Sequence, residues 1–368
     1  MSKLINLSLD DDKKIFNKYI KRILFISGTT SYYKTGAEEI FKNKFNNKEK
    51  YIYLKKSYLP DFDELKKIIN IKDEIKPDLI IAIGGGCVID YAKITSVFKE
   101  EKNLKQKIIN SDYKGNKKIP LLAIPTTAGS GAEVTSNAVI YINNIKYSVE
   151  GAEVRPDYHA LLPKLLLSST MKIDSSSGFD AISQAIESIL SKRSNTQSIE
   201  YASRALKILF KNYINFVNKK NLSNSYNMAL GANLAGKAIN ISKTTAPHAL
   251  SYPFTTHFNI PHGHAVSLTL NKFLKFNHFY KDKADKDFNL IKRFNLLFKL
   301  SNSENIQQLD RYLKEIKKQA KLEQNFLKLG INLDRKYTKI VNGLNSQRLK
   351  NNPIQVSKKD IKNIIENY

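Results

Sequence analysis

The chain has 368 residues, 42% of them hydrophobic, a single cysteine and a formal net charge of +26. That length suits two compact domains with a sizeable core, Cys87 alone excludes a disulfide framework, and no apolar run approaches the ~20 residues of a membrane span. The lysines are scattered among Asn and Ile, as in K-N-K-F-N-N-K-E-K at 42 to 50, rather than clustered on one stretch, so neither a nucleic-acid nor a membrane partner is expected, and the charge instead favours a small anionic substrate. In chain order, the opening M-S-K-L-I-N-L-S-L-D-D-D has neither a long apolar segment nor a small-residue cleavage site, which reads as a cytoplasmic enzyme. Short apolar runs at 23 to 27 (I-L-F-I-S), 51 to 54 (Y-I-Y-L), 79 to 83 (L-I-I-A-I) and 121 to 124 (L-L-A-I) then alternate with helical patterns at 35 to 46, 62 to 75 and 88 to 99. This is the signature of an open, largely parallel sheet whose strands are buried on both faces. From about residue 165 the pattern becomes helical: apolar residues recur at Phe179, Ile182, Ile186 and Ile189 within 177 to 192, and 197 to 218 continues in that mode. A boundary is therefore expected after residue 164, giving an α/β domain over 1–164 and an all-α domain over 165–368, the latter polar and helical in pieces after about 330.

Two loops at strand ends carry binding chemistry. In L-I-I-A-I-G-G-G-C-V-I-D-Y-A-K, residues 79 to 93, three glycines stand between a strand and a helix. Without Cβ atoms the backbone approaches a ligand closely, and the N–H groups opening the helix favour a phosphate. The spacing is not G-x-G-x-x-G, so a plain tight turn stays open. The position at the carboxyl end of a strand, where open α/β sheets bind ligands, favours a pyrophosphate site. Cys87 is read as a helix cap or site lining rather than a reactive thiol. The second loop, I-P-T-T-A-G-S-G-A-E-V-T-S-N, offers the hydroxyls of Thr126, Thr127 and Ser130 to ribose, phosphate or a nicotinamide amide.

Residues 244 to 268, T-T-A-P-H-A-L-S-Y-P-F-T-T-H-F-N-I-P-H-G-H-A-V-S-L, hold four of the six histidines. Imidazole is the commonest ligand of catalytic metals, so this density points to a metal site. His248 and His262 are fourteen residues apart, a spacing that suits one helix and the start of the next.

Taken together, I-A-I-G-G-G-C-V-I-D-Y-A-K, I-P-T-T-A-G-S-G-A-E-V-T, S-G-F-D-A-I-S-Q-A-I-E-S and H-A-L-S-Y-P-F-T-T-H-F-N-I-P-H-G-H-A resemble the iron-containing (group III) alcohol dehydrogenase family, in the family's order and over most of residues 20 to 275. The resemblance implies the dehydroquinate synthase-like, iron alcohol dehydrogenase fold, with an N-terminal dinucleotide-binding domain and a helical domain for metal and substrate. It also implies NAD(P)H and a divalent metal, Fe2+ or Zn2+, as cofactors, reversible hydride transfer between an alcohol and NAD(P), and a possible homodimer. Carried over residue by residue, it places the metal on Asp180, Gln184, His248 and His262. Gln184 departs from the family's histidine; its carbonyl oxygen suits a hard divalent ion better than a soft one, and His257 or His264 is a candidate replacement nitrogen. Tyr252 stands where the family has a further histidine, a change on the substrate side. The cofactor is placed against Gly28, Ser31, Gly85, Gly86, Cys87, Asp90, Thr126, Thr127, Ser130 and Lys146. Gly28 replaces the family's NAD-selecting aspartate, so NADP is permitted, and Lys55 and Lys56 favour it. His264 or His257 is expected to relay the final proton.

The combined motifs look most like the branch that reduces phosphonoacetaldehyde to 2-hydroxyethylphosphonate, with Lys243, Thr244, Thr245, Ser251 and His257 flanking the ligand histidines. A dehydrogenase of short alcohols, diols or lactaldehyde, a polyol dehydrogenase or cyclising synthase on the same scaffold, and a noncatalytic dinucleotide-binding protein, for which Gln184 is the best argument, remain open at this point.

Overall fold

The computed structural model describes residues 2–5, 19–45, 47–113, 118–143, 145–342, 344 and 346–367. The chain divides into two compact units, Met1–Ser169 and Thr170–Tyr368. The division falls five residues beyond the expected one because the 3-10 turn Pro163–Leu166 completes the first unit: Leu165 and Leu166 are buried, Leu165 within that unit's core.

In the first unit, β1 (Lys3–Leu4), β2 (Arg22–Gly28), β3 (Glu49–Lys55), β4 (Leu79–Gly84), β5 (Leu121–Pro125) and β8 (Tyr158–His159) form a parallel sheet in the order β1-β8-β5-β4-β2-β3. Alternate residues feed two cores, Leu24, Ile26, Ile80 and Ala82 on one face and Ile23, Phe25, Ile81 and Ile83 on the other, the pattern of strands covered on both sides. β3 departs from it. As the outer strand its first four residues are exposed, so the run Y-I-Y-L marks a sheet edge and not a central strand. The helices α1 (Ala37–Lys44), α2 (Phe62–Ile75), α3 (Gly86–Val97) and α4 (Leu104–Asn110) alternate with the strands. The pattern expected over 35 to 46 corresponds to α1, residue 46 lying outside the described residues. Asp61 caps α2 by accepting from Glu64 N at 2.9 Å. A separate antiparallel hairpin, β6 (Asn137–Ile142) and β7 (Ile145–Glu150), follows the second loop.

The second unit is helical. α5 (Met171–Leu190) is buried from Asp174 to Leu190 except at Ser177, as befits a central helix. It packs with α6 (Thr196–Asn218), α7 (Leu222–Ser242) and α9 (His262–Phe279). Asn195 and Asn221 each close a capping box that starts α6 and α7. Gly178 lets α6 come near, since a Cβ there would stand 2.7 Å from the Tyr213 ring. α8 (Ala246–Phe258), α10 (Leu290–Leu300), α11 (Ile306–Gln319), α12 (Leu333–Asn342), α13 (Ser346–Lys350) and α14 (Lys358–Asn367) complete the unit. Among the described residues, no helix is long and apolar enough to cross a membrane.

Candidate active site

In the first unit the binding edge is made where parallel strands end together. Register sets Ser27 beside Ile83 and Gly84 beside Pro125, so the loops after β2, β4 and β5 lie side by side. The connection from β2 runs outward to β3, while that from β4 runs the other way to β5. The crevice between β2 and β4 is therefore the topological switch point at which such sheets bind ligands. Gly84 and Gly86 are required by volume: an added Cβ would lie 2.5 Å from Val88 Cγ2 at the first and 2.9 Å from Ser130 Oγ at the second. Gly85 precedes the first turn of α3 and stands against Thr127. Thr126 N donates to Gly84 O at 3.1 Å, and Ser31 Oγ lies 3.3 Å from Thr126 Oγ1.

Gly28 pairs in register with Lys55, and a Cβ added at Gly28 would meet only Ser31 Oγ at 3.7 Å and Lys55 Cε at 4.0 Å. Cys87 sits inside the first turn of α3 rather than capping it, and burial pushes its thiol up to about 12, which makes it inert at neutral pH. Asp90 is engaged by the hairpin and by its own helix. Its Oδ2 accepts from Val139 N at 3.1 Å, its Oδ1 lies 4.0 Å from Lys93 Nζ, and burial pushes its carboxyl up to about 6. Lys146, on β7 opposite Tyr141, acts on Asp90 through its charge. The structure thus brings Gly28, Ser31, Gly85, Gly86, Thr126, Thr127 and Ser130 to one edge and sets Asp90 and Lys146 with the hairpin.

In the second unit, Asp180, Gln184 and Glu187 follow one another at four and three residues along α5, hence on one face of the helix. α8 carries His248 on its first turn, behind Pro247, and His262 opens α9. Gly263 fixes the approach of the two helices: a Cβ there would lie 1.9 Å from the Ser176 carbonyl oxygen and 2.7 Å from Asp180 Cβ. His248 Nε2 and His262 Nε2 consequently lie 3.3 and 3.9 Å from Asp180 Oδ1. One ligand atom from each of Asp180, His248 and His262 falls within 4.8 Å of the others. Gln184 Nε2 donates to Asp180 Oδ2 at 3.0 Å, and its Oε1 is buried with no hydrogen-bond partner. A carboxylate and two imidazole nitrogens within 4.8 Å of one another, with a buried amide oxygen on the same helical face, are a donor set that fits a divalent ion.

Glu187 was not foreseen from the sequence, although its spacing from Asp180 and Gln184 would have placed it on the same helical face. Its Oε1 lies 2.5 Å from His248 Nδ1, and its Oε2 accepts from Thr245 N at 2.7 Å and Thr245 Oγ1 at 2.9 Å. Such a carboxylate orients a ligand imidazole and leaves Nε2 for the metal. Burial alone would lower the His248 pKa, but Glu187 and Asp180 outweigh it and carry it to about 10. Tyr252 lies parallel to the His262 ring, with centroids 5.7 Å apart and planes at 2°, and Ser251 Oγ stands 3.4 Å from His262 Nδ1. The two other histidines stand outside the cluster. His264 Nε2 donates to the Glu323 carbonyl at 2.6 Å, with burial holding its pKa below the usual value, and His257 is exposed in the last turn of α8.

A nucleotide edge on a parallel sheet, followed by a helical unit with an Asp-His-His cluster, defines a metal-assisted, dinucleotide-using enzyme. The description "Iron-containing alcohol dehydrogenase" matches residues 8–163, and "Fe-containing alcohol dehydrogenase family, C-terminal" matches residues 175–368. The chain belongs to the iron-containing alcohol dehydrogenase family, and is an oxidoreductase of alcohols and aldehydes that works with a nicotinamide cofactor and a metal. It is 32% identical over 215 residues to the phosphonoacetaldehyde reductase of Streptomyces viridochromogenes, a match spanning 55% of this chain and about half, 54%, of that protein. It is 28% identical over 327 residues to the 4-hydroxybutyrate dehydrogenase of Clostridium kluyveri, covering 85% of this chain and 86% of that one. Among solved structures, sulfoacetaldehyde reductase from Bifidobacterium kashiwanohense in complex with NAD+ shares the fold with a TM-score of 0.86 at 22% identity, over 99% of this chain and 96% of that one.

Proposed function

We propose that this protein is a cytoplasmic reductase of small aldehydes bearing an anionic group, with phosphonoacetaldehyde to 2-hydroxyethylphosphonate as the pair that suits it best. The observation that carries the reading is the match to a phosphonoacetaldehyde reductase at 32% identity. Two further relatives, named for sulfoacetaldehyde and 4-hydroxybutyrate, also pair a terminal aldehyde or alcohol with an anionic end. The excess positive charge of the chain supports the same substrate class.

When bound, NAD(P)H would supply the hydride that, with one proton, turns the aldehyde into the alcohol. Asp180, Gln184, His248 and His262 would hold a divalent ion, which when bound would supply Lewis acidity toward the carbonyl oxygen. The chain's own residues do the rest. Gly84 to Gly86 and the Thr126 to Ser130 loop position the cofactor through backbone N–H and hydroxyl donors. Glu187 holds the His248 imidazole in its plane, and the Tyr252 ring lies parallel to that of His262. His264 has its Nε2 committed to the Glu323 carbonyl, which leaves the exposed His257 to exchange the proton with solvent.

NADPH is the proposed reductant. Gly28 leaves room that a carboxylate would fill, and Lys55 stands beside it in register, a cation suited to a 2′-phosphate. Initial rates with phosphonoacetaldehyde, sulfoacetaldehyde, succinic semialdehyde, lactaldehyde and acetaldehyde test the substrate class. The expectation is a kcat/KM for an anionic aldehyde on the order of 100-fold above acetaldehyde, the ~3 kcal/mol of a well-placed charged contact. Equal or better rates on lactaldehyde or acetaldehyde would replace the reading with a general short-chain alcohol or diol dehydrogenase. Gly28→Asp is expected to cut kcat/KM for NADPH about tenfold or more relative to NADH, and an unchanged ratio removes Gly28 from cofactor choice.

A further inference from the structure

We propose that Ser251 is a positioning residue of the metal site: its hydroxyl holds His262 in the tautomer that carries the proton on Nδ1, which leaves Nε2 to take a divalent ion. The inference rests on the ligand set Asp180, His248 and His262 placed above. The sequence motif set Ser251 only among the groups that flank the ligand histidines.

A serine hydroxyl has one proton to give and two lone pairs to offer. Ser251 is 0% exposed on α8, and its proton goes to the His248 carbonyl, one turn back on the same helix, at 2.8 Å. A carbonyl oxygen only accepts, so the direction of that bond is fixed. The same Oγ lies 3.4 Å from His262 Nδ1, eleven residues further along the chain. With its proton committed, Ser251 meets that nitrogen as an acceptor, so Nδ1 is the nitrogen that carries hydrogen. In a neutral imidazole the other nitrogen then keeps its lone pair. That nitrogen is Nε2, the atom 3.9 Å from Asp180 Oδ1.

A buried serine bonded back to the carbonyl of the preceding turn is common in helices and by itself says nothing about function. Ser251 differs in its two partners, the backbone of one ligand residue and the ring of another. One hydroxyl thereby braces the turn that carries His248 and sets the tautomer of His262. The two imidazoles are backed unequally. Nδ1 of His248 faces the Glu187 carboxylate at 2.5 Å, whereas Nδ1 of His262 faces a neutral hydroxyl at longer range. A charged partner strengthens a ligand imidazole more than a neutral one, so His262 is the weaker nitrogen of the pair. It is also the more open, its side chain being 38% exposed against 4% for His248. Loss of Ser251 should therefore cost less than loss of Glu187, and the cost should run through His262.

The test is a chelator-competition titration of the full-length protein, stripped of metal and reloaded with Zn2+, in a double-mutant cycle of Ser251→Ala and His262→Ala. Ser251→Ala in the wild-type background is expected to weaken Zn2+ binding about tenfold, the lower end of what an orienting partner contributes. In the His262→Ala background the same substitution is expected to change affinity by less than about twofold, because the ring through which Ser251 acts is gone. An equal loss in both backgrounds, or no loss in the wild-type one, overturns the assignment and leaves Ser251 a tie within α8. A second measurement needs no change at Ser251. In metal-free wild-type protein carrying isotope-labelled histidine, at a pH where the ring is neutral, nitrogen NMR is expected to show His262 Nδ1 protonated and Nε2 unprotonated, the signals being assigned by their loss in His262→Ala. The reverse pattern overturns the proposal even where Ser251→Ala fails to fold. A His262→Ala protein that keeps full Zn2+ affinity removes the ligand assignment itself, a result distinguishable from the other two.

Discussion

The two units build their candidate sites by opposite means. In Met1–Ser169 the binding edge is backbone: three strand ends brought level by register, with glycines at 84 and 86 because no Cβ fits there. The Cys87 thiol beside it is silenced by burial. In Thr170–Tyr368 the site is side chains on helix faces, with Asp180 and Glu187 at 5% and 1% exposure set against the imidazole of His248. A site of the first kind tolerates changes of chemistry and fails on volume. A site of the second kind tolerates volume poorly only where helices touch, as at Gly263, and otherwise fails when one functional atom is removed.

The sharpest way to break this contrast is a mirrored pair of variants. Asp180→Ala deletes the oxygen that both imidazoles face, so bound metal measured by elemental analysis should fall to background and turnover by three or more orders of magnitude, with NADPH affinity by fluorescence titration within about threefold of wild type. Gly86→Val should do the reverse, driving a branched side chain into Ser130 and weakening NADPH on the order of 100-fold while the metal stays. Loss of both ligands in either variant would mean that the two sites are not separable.

Next in size is Glu187→Gln. The amide keeps the volume and a contact to Thr245, yet removes the negative charge that faces His248 Nδ1. Metal affinity in a competition titration with a chelator should fall about 10–100-fold, the usual effect of an orienting carboxylate. An unchanged affinity would leave Glu187 as a buried structural acid.

How much of this was legible in the sequence follows from the same contrast. The strands at 23 to 27, 79 to 83 and 121 to 124 and the glycines after them were readable, because a doubly covered strand must be apolar throughout and a backbone site must be glycine-rich. The β6–β7 hairpin is harder to read from sequence: N-A-V-I-Y-I and I-K-Y-S-V-E are joined without the usual glycine, the left-handed turn position being taken by Asn143 at φ 52°. In the helical unit, Asp180, Gln184, His248 and His262 were visible through resemblance and spacing. Their supports were not. Glu187 meets Thr245 across 58 residues, and Gly263 owes its identity to a carbonyl of another helix. No local pattern encodes which faces of distant helices come to oppose one another.

The smallest expected effect lies in the interior of the helical unit, where Lys317 is 2% exposed. Its Nζ donates to the Ser267 carbonyl at 3.0 Å and to Gln324 Oε1 at 2.6 Å, and stands 5.8 Å from the centre of the Phe179 ring, next in sequence to Asp180. Burial pulls its pKa down to about 7, Asp310 opposing and Lys314, Lys272 and Lys275 adding to the fall. An unfolded lysine titrates near 10.5. Between those two values the unfolded chain binds the additional proton, so stability from this group rises with pH, by up to ~1.4 kcal/mol per pH unit, and is at its lowest below 7. Lys317→Met removes the titration. Urea unfolding at pH 7 and pH 9 should show wild type gaining about 2 kcal/mol on the variant over that interval, whatever constant penalty the lost hydrogen bonds impose at both. A gap that does not change with pH would mean the ammonium keeps its proton throughout, stabilised by its two oxygen partners and the aromatic face more than burial disfavours it.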